Sequence, residues 1–237
     1  MNVKLLAHTQ MSSEFANYLG LGGPNCTDGQ AVALTAIRTC YSPGKPSEIV
    51  AKEGEKYFGN GGTEADRLFK MIVRSGHTST LEHISFTFAI EGVSRALLAQ
   101  LTRHRVGFSY SVQSQRYVKF GSGDRSGGFD HVVPDSVRAK GERAVRAFVS
   151  SMADAQLAYD ELRELGVPAE DARAVLPNAA ACNLVITANL RALLEFYSKR
   201  KPGNGAQKEI ASLAEALKDA VISVEPWTKP FFEGEAK

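Results

Sequence analysis

The sequence has few cysteines, one tryptophan and no long apolar run. Its three cysteines, Cys26, Cys40 and Cys182, are odd in number and widely spaced, so neither a disulfide framework nor a paired-cysteine metal site is predicted. No apolar stretch approaches the roughly 20 residues that a membrane-spanning helix needs. The first 10 residues carry one lysine and no sustained hydrophobic segment. We therefore expect no secretory signal, no membrane partner and a cytoplasmic protein.

No charge of one sign dominates, because 28 Lys and Arg face 26 Asp and Glu, for a net charge of +2. This balance gives no electrostatic reason to expect a nucleic-acid partner. The glycine-based nucleotide fingerprints are also missing, since no GxGxxG follows a strand-like segment and no GxxxxGK[ST] occurs. His8 and His131 stand apart from other ligand-type residues, so no metal site is predicted.

The composition is that of an ordinary globular chain, with 43% hydrophobic and 23% charged residues. At roughly 150 residues per domain, we predict a single domain over residues 1–237. Alternating apolar residues predict strands at His83–Glu91 and around Cys182–Ile186. Helical spacing and boundary residues predict helices at 28–41, 63–75, 93–102, 135–165, 169–176, 189–199 and 206–224.

Two of these helices have candidate caps in the sequence. Thr63 with Asp66 is typical of a capping box, and Asn189 precedes its helix as an N-cap would. Helices and strands do not alternate regularly along the chain. This order predicts an α+β fold, with an antiparallel or mixed central sheet flanked by long helices.

The segment Gln100–Tyr117 combines cations with many neutral donors. Arg103, His104 and Arg105 end an apolar helix, and three serines, two glutamines and Arg116 follow within a dozen residues. Guanidinium groups stay charged and form paired hydrogen bonds with phosphate, so the segment suits an anionic polar ligand such as a nucleotide. A solvated helix end is the simpler alternative, because cations there are favourable by about 0.3–1 kcal/mol.

The pattern Arg103-His104-Arg105 followed by Ser114 resembles the signature of the flavin-dependent thymidylate synthases. That family has seven variable residues between the last Arg and the Ser, whereas eight lie between them here. Further segments resemble the family in the same order from residue 76 to residue 227: Gly76–His83, Arg173 with Leu176-Pro177, Asn189-Leu190-Arg191 with Arg200, and Glu225-Pro226-Trp227.

The resemblance implies a methyltransferase that makes dTMP from dUMP, a step of nucleotide biosynthesis. Methylenetetrahydrofolate supplies the carbon, and FAD reduced by NADPH carries the hydride, without a cysteine nucleophile. It also implies a homotetramer whose active sites combine several subunits. The residues that match the FAD site are His77, Ser79, Arg103, His104, Arg105, Asn189, Leu190, Arg191 and Glu195.

The residues that match the dUMP site are Gln100, Leu101, Thr102, Arg103, Val112, Gln113, Ser114, Gln115, Arg116, Arg173 and Arg200. By resemblance, Arg116 and Arg173 clamp the monophosphate, and Arg200 is the catalytic residue, which favours loss of the uracil N3 proton. Two positions depart from the family: Val112 replaces a polar residue and Glu195 replaces Asn or His.

Two other functions stay open on the sequence. A nucleic-acid-binding module would use Arg103, Arg105 and Arg116 with the neighbouring aromatic residues as stacking partners. An inactive homologue would keep the fold as an assembly subunit, in line with the extra motif residue and the two departures. Ser114 is not expected to be a nucleophile, because no activating base stands beside it in the sequence.

Overall fold

The computed structural model describes residues 1–20 and 25–234. Its strands are β1 (Asn2–His8), β2 (Ser85–Ser94), β3 (Phe108–Val112) and β4 (Ala181–Asn189). They form one antiparallel sheet in the order β1-β2-β4-β3. The predicted α+β class with an antiparallel sheet flanked by helices is confirmed.

Helices account for most of the remaining ordered chain. They are α1 (Ser13–Leu19), α2 (Asp28–Thr39), α3 (Ile49–Phe58), α4 (Thr63–Arg74), α5 (Arg95–Leu101), α6 (Asp135–Arg138), α7 (Glu142–Glu164), α8 (Ala169–Ala172), α9 (Leu190–Arg200), α10 (Lys208–Val224) and α11 (Lys229–Glu233). Among the described residues, no helix is long and apolar enough to span a bilayer.

The main core lies between one face of the sheet and the helices. Phe86, Phe88 and Ile90 alternate along β2 and are fully buried. Phe88 pairs with Ile186 on β4, and residues of α2, α4, α5, α9 and α10 complete the same cluster. Each such side chain contributes roughly 1.5–3 kcal/mol by leaving water. The opposite sheet face is more open, since Val185 on β4 is exposed.

The sequence predicted two strands, and the structure adds two more, β1 and β3. Both are edge strands, and both pair with residues far away in the chain, as Val3 does with Ile90 and Tyr110 with Ile186. Serine residues alternate with Phe108 and Tyr110 in β3, which makes that segment similar to a polar loop in sequence. Long-range pairing therefore decides these strands more than their own propensity does.

Helix boundaries also differ from the predictions. The predicted cap at Thr63 is wrong, because Thr63 is already helical and Gly62 precedes it with no side-chain capping bond. The helix predicted at 93–102 starts at Arg95, since pairing with β4 extends β2 through Ser94. The long helix predicted at 135–165 breaks before Gly141, whose φ of +86° favours glycine.

Two further helices, α2 and α8, begin at the predicted residues but are shorter than predicted. α2 ends at Thr39, and a single 3-10 turn replaces the second half of the predicted 169–176 helix. The predicted cap of α9 is confirmed, because Asn189 Oδ1 accepts a hydrogen bond from the Ala192 amide at 2.9 Å.

Helix α7 is unusual because it covers 23 residues but buries only Met152 and Tyr159. Tyr159 belongs to a small separate cluster with Phe120 and Ala172. Leu157 on the same helix is 68% exposed. α7 therefore presents a long, largely uncovered face.

Candidate active site

Arg200, at the end of α9, contacts the Arg-His-Arg segment directly. Its Nε donates to His104 Nε2 at 3.0 Å, and its Nη2 donates to the Gln100 carbonyl at 3.4 Å. The guanidinium is partly buried and has no carboxylate within ion-pairing distance among the described residues. The structure therefore brings Arg200 into contact with two predicted site residues, Gln100 and His104, that lie about 100 residues earlier in the chain.

His104 is held as a neutral acceptor for Arg200. Burial and the adjacent positive charges, first that of Arg200, lower the pKa of His104 below its ordinary value. Its ring packs edge-to-face on Phe196, with centroids 4.9 Å apart, and lies near Phe108. The lowered pKa of His104 favours the neutral imidazole at pH 7, and because Arg200 Nε can only donate, the contact assigns the unprotonated nitrogen to Nε2.

Tyr110 links β3 to this segment, a role that the sequence did not indicate. Its hydroxyl donates to the carbonyls of Leu101, at 2.9 Å, and His104, at 2.6 Å.

Leu101 is fully buried, and the Thr102 hydroxyl donates a hydrogen bond to the Leu98 carbonyl in the preceding turn. These two predicted dUMP residues thus have structural contacts, and their side chains point into the helix and core rather than into a cavity.

Gly107 allows β3 to approach the start of α9. Its φ is +73°, and a β-carbon there would lie 2.7 Å from both the Ala192 Cβ and the Asn189 Nδ2. The backbone amide of Asn189 also donates to the Gly107 carbonyl at 3.1 Å. A side chain at this position would therefore push the Arg-His-Arg segment away from α9.

We expect Gly107→Ala to destabilise the fold by about 2–4 kcal/mol, because it combines left-handed backbone strain with a steric clash. Gly203→Ala is the matched control, since Gly203 has a φ of +83° and nothing within 4 Å of its virtual β-carbon. Urea unfolding of both variants separates the two effects. Equal losses in the two proteins would show that the close approach at Gly107 has no energetic weight.

The N-terminal part of α9 lies against the segment that carries His77 and Ser79. Arg191 forms a 2.5 Å ion pair with Glu82, and the Leu190 amide donates to the Ile84 carbonyl at 2.8 Å. Ser79 is exposed on the same segment, whereas Leu190 is fully buried. The structure therefore brings together several residues predicted for the FAD site.

His77 and Glu195 complete this side of the site. His77 Nδ1 lies 3.0 Å from the Tyr41 hydroxyl, and the two rings meet edge-to-face. Glu195 pairs with Lys199 one turn later at 2.6 Å, and this hydrogen bond lowers the pKa of the Glu195 carboxyl. Tyr41 was not predicted, because it lies two residues after α2 and 36 residues before His77, so no local pattern indicates the contact.

Arg103, Arg105 and Arg173 are exposed cations. In the parts of the chain that the structure describes, none of them has a carboxylate within 4.0 Å. An exposed guanidinium without an internal partner can bind phosphate at little cost in lost ion pairs. This donor set fits the phosphate groups of a dinucleotide cofactor such as FAD and of a nucleoside monophosphate.

The second half of the predicted dUMP set follows β3. Val112 pairs with Leu184 and packs on the core, and Gln113 bonds with Asn183 through both backbone and side chain. Ser114 Oγ accepts hydrogen bonds from the backbone amides of Arg116 and Tyr117. The Gln115 side chain between them is buried. No His or carboxylate hydrogen-bonds Ser114 Oγ in the described chain.

Arg116 forms an ion pair with Glu170, which belongs to the same helical segment as Arg173. Arg116 Nε lies 2.5 Å from Glu170 Oε2, and Glu170 precedes Arg173 by one helical turn. Both partners in this ion pair are about half exposed, so it contributes at most about 1 kcal/mol. Glu170, which the sequence did not indicate, can therefore release Arg116 to a phosphate.

The predicted dUMP residues form two groups in one chain. Arg200 and Gln100 lie with His104, a residue predicted for FAD, at the Phe108 end of β3, while Ser114 and Arg116 lie beyond its other end at Val112. Four strand steps separate Phe108 from Val112, or about 14 Å. Within the described chain, the residues predicted for dUMP therefore fall into two separate groups.

The three cysteines lie outside both groups and are free thiols. Cys182 is buried, Cys26 is half-buried and Cys40 is exposed. Burial, with Asp28 and Glu225 nearby, raises the pKa of Cys26 to about 11. No cluster of metal-ligating residues occurs among residues 1–20 and 25–234.

Comparison with known proteins gives one family. A family model described as "Thymidylate synthase complementing protein" matches residues 25–227. The flavin-dependent thymidylate synthase of Geobacter sulfurreducens is 43% identical over 199 residues, which cover 84% of this chain and 80% of that protein. The enzyme of the same name from Clostridium tetani is 34% identical over 213 residues, which cover 83% and 79% of the two chains.

A solved structure supports the fold independently. It is the crystal structure of a UMP/dUMP methylase, PolB, from Streptomyces cacaoi bound with 5-Br dUMP. The TM-score is 0.72 at 23% identity, and the match covers 98% of this chain and 94% of that one. The resemblance found in the sequence is thus confirmed, and the chain belongs to the flavin-dependent thymidylate synthase family.

Proposed function

We propose that the protein catalyses the reductive methylation of dUMP to dTMP, with methylenetetrahydrofolate as carbon donor and NADPH as reductant of bound FAD. The observation that carries the proposal is the Arg200–His104 pair at the Arg-His-Arg segment, in which the partly buried Arg200 has no carboxylate within 4.0 Å among the described residues. The family is established, and these residues have the chemistry that this reaction requires.

Arg200 stabilises negative charge on the uracil ring. When N3 loses its proton, the ring becomes an anion whose charge extends to C5, and C5 can then attack a carbon electrophile. A fixed guanidinium in a partly buried site stabilises that charge more strongly than water does. His104 keeps the guanidinium oriented, because its neutral Nε2 accepts from Arg200 Nε.

Arg103 and Arg105 would hold the FAD phosphates, and the loop at Ser79 with the start of α9 would border the flavin. Bound FAD, once reduced by NADPH, supplies the hydride that completes the methyl group. Arg116 and Arg173 would bind the dUMP phosphate. The chain needs no thiolate for this chemistry, which agrees with the raised pKa of Cys26.

We further propose that the active protein is a homotetramer in which subunits share each active site. The two partial dUMP groups at opposite ends of β3 support this arrangement, because a second copy would complete each of them. The largely uncovered face of α7 supports it as well, since 23 residues with two buried side chains leave a surface for another subunit.

The test is a visible absorption spectrum after incubation with FAD and desalting. The intact protein should retain a flavin spectrum that shifts on addition of dUMP. Arg103→Ala should retain at most about one-tenth as much FAD, because a charge-assisted phosphate contact is lost. Lys140→Ala is the control, since it removes an equal charge from an exposed position with no ion pair among the described residues.

A colourless protein that does not respond to dUMP would contradict the proposal and favour an inactive homologue. Nucleic-acid binding that falls steeply with salt would favour the alternative binding module. Unchanged FAD retention in Arg103→Ala would remove Arg103 from the cofactor site while leaving the rest of the proposal in place.

A further inference from the structure

A cavity of about 750 Å³ lies between α2, α3 and α4, and it includes none of the residues predicted for FAD or dUMP. Its lining contains five cations and one carboxylate: Arg38, Lys56, Arg67, Lys70, Arg74 and Glu64. The whole chain has nearly equal numbers of both charges. Overall composition therefore does not account for this local excess of positive charge.

Most of these cations have no strong internal partner. Arg38 pairs with Glu53 at 2.6 Å, and Arg67 approaches Glu64 only to 3.9 Å. Lys70 and Arg74 have no carboxylate within 4.0 Å among the described residues. The positive charge of the cavity is thus only partly neutralised by the protein itself.

The cations of α4 form a row. Arg67, Lys70 and Arg74 follow one another at intervals of three and four residues, so they share one helix face over about 10 Å. Met71, which is 52% exposed, and Leu68 line the cavity beside them. This surface suits a chain that carries several anionic groups joined by apolar atoms.

Two walls of the cavity are connected through the chain to His77, which is predicted for the FAD site. Arg74 and Ser75 line it, and His77 follows two residues after Ser75. On the other wall, Arg38 is three residues before Tyr41, whose hydroxyl bonds with His77. A ligand whose reactive end lies near His77 can therefore extend an anionic end into the cavity.

We propose that this cavity binds the polyanionic tail of a co-substrate, an inference that rests on the proposed function. The shared chemistry is a series of negative groups on a flexible chain. The two sources are the γ-linked glutamate carboxylates of a polyglutamylated folate and the phosphates of NADPH, including its 2′-phosphate. In both cases the cations of α4 recognise charge outside the reacting centre.

The test uses the double variant Lys70→Ala/Arg74→Ala in the FAD-loaded protein, with Lys4→Ala/Lys140→Ala, two exposed cations outside the cavity, as a control of equal charge change. Calorimetry measures the Kd of monoglutamyl and pentaglutamyl tetrahydrofolate and of NADP+ and NAD+, the oxidised forms that cannot reduce the bound FAD. These binding measurements do not need turnover. They therefore give an answer even if the proposed dUMP methylation fails its own test.

Weakening of pentaglutamyl folate by about tenfold, with the monoglutamyl form unchanged, supports the folate source. Weakening of NADP+ binding by a similar factor, with NAD+ binding unchanged, supports the phosphate source. Either loss should shrink at high salt, because exposed charges are screened. Unchanged Kd values for all four ligands, an equal loss in the control, loss of FAD or a changed oligomeric state each overturn the proposal.

Discussion

Arg200→Ala should lower dUMP-dependent kcat by about 100- to 1,000-fold while FAD remains bound. Removing one preorganised group that stabilises an anionic transition state typically costs about 2.7–4 kcal/mol. Arg200 is placed for that role by His104 and the Gln100 carbonyl, and no carboxylate in the described chain neutralises it. Its removal leaves the exposed Arg103 and Arg105, and hence the predicted phosphate contacts of FAD, unchanged.

The measurement is steady-state turnover together with the flavin spectrum of the desalted variant. Lys199→Ala is the matched control, because Lys199 is the adjacent cation on α9 and pairs with Glu195 instead of His104. It should keep near-normal turnover. Near-normal turnover in Arg200→Ala as well would end the proposed catalytic role, whereas loss of FAD would mean that Arg200 holds the cofactor.

The same contact predicts the acid limb of the pH profile. Because the pKa of His104 is lowered, the neutral acceptor persists at pH 7 and above. It is lost as pH falls through that lowered pKa, where protonation places a second cation against Arg200. The activity that depends on this orientation should therefore survive to a pH below the ordinary imidazole range of about 6.5.

Glu225→Ala should destabilise the protein by about 3–5 kcal/mol, a large part of the roughly 5–15 kcal/mol that a domain possesses. Glu225 is 1% exposed, and its carboxylate accepts from the Thr27 hydroxyl, from the Gly29 amide at 3.1 Å and from Trp227 Nε1 at 2.6 Å. Two of these donors lie at the start of α2. The carboxylate thus ties the C-terminal segment to a helix N-terminus, where negative charge is favourable.

Denaturant unfolding measures the effect, with Glu91→Ala as the control. Glu91 is also a hydrogen-bonded glutamate, accepting from Asn2, but it is exposed, and its loss should change stability by less than about 0.5 kcal/mol. A similar small change in Glu225→Ala would show that water replaces the carboxylate among its donors.

Local chemistry was predictable wherever neighbouring residues control it. Asn189 is predictable as a cap because the capping hydrogen bond joins residues only three apart. The alternation of apolar residues predicts β2 because this strand, paired with β1 on one side and β4 on the other, buries one face in the core. Thr63 failed as a cap because the preceding 3-10 turn already places it in helical conformation. That arrangement depends on Gly61 and Gly62, and not on the capping pattern.

Residue type and order are enough to predict the family, the α+β class and the cations that suit phosphate. Tertiary structure alone decided that Arg200 meets His104 across 96 residues, that Tyr41 contacts His77, and that β1 and β3 join the sheet. It also decided which cations keep internal carboxylate partners. Such contacts form only when burial of side chains between distant segments offsets the entropy lost in closing the long loops between them. No local sequence pattern contains that balance.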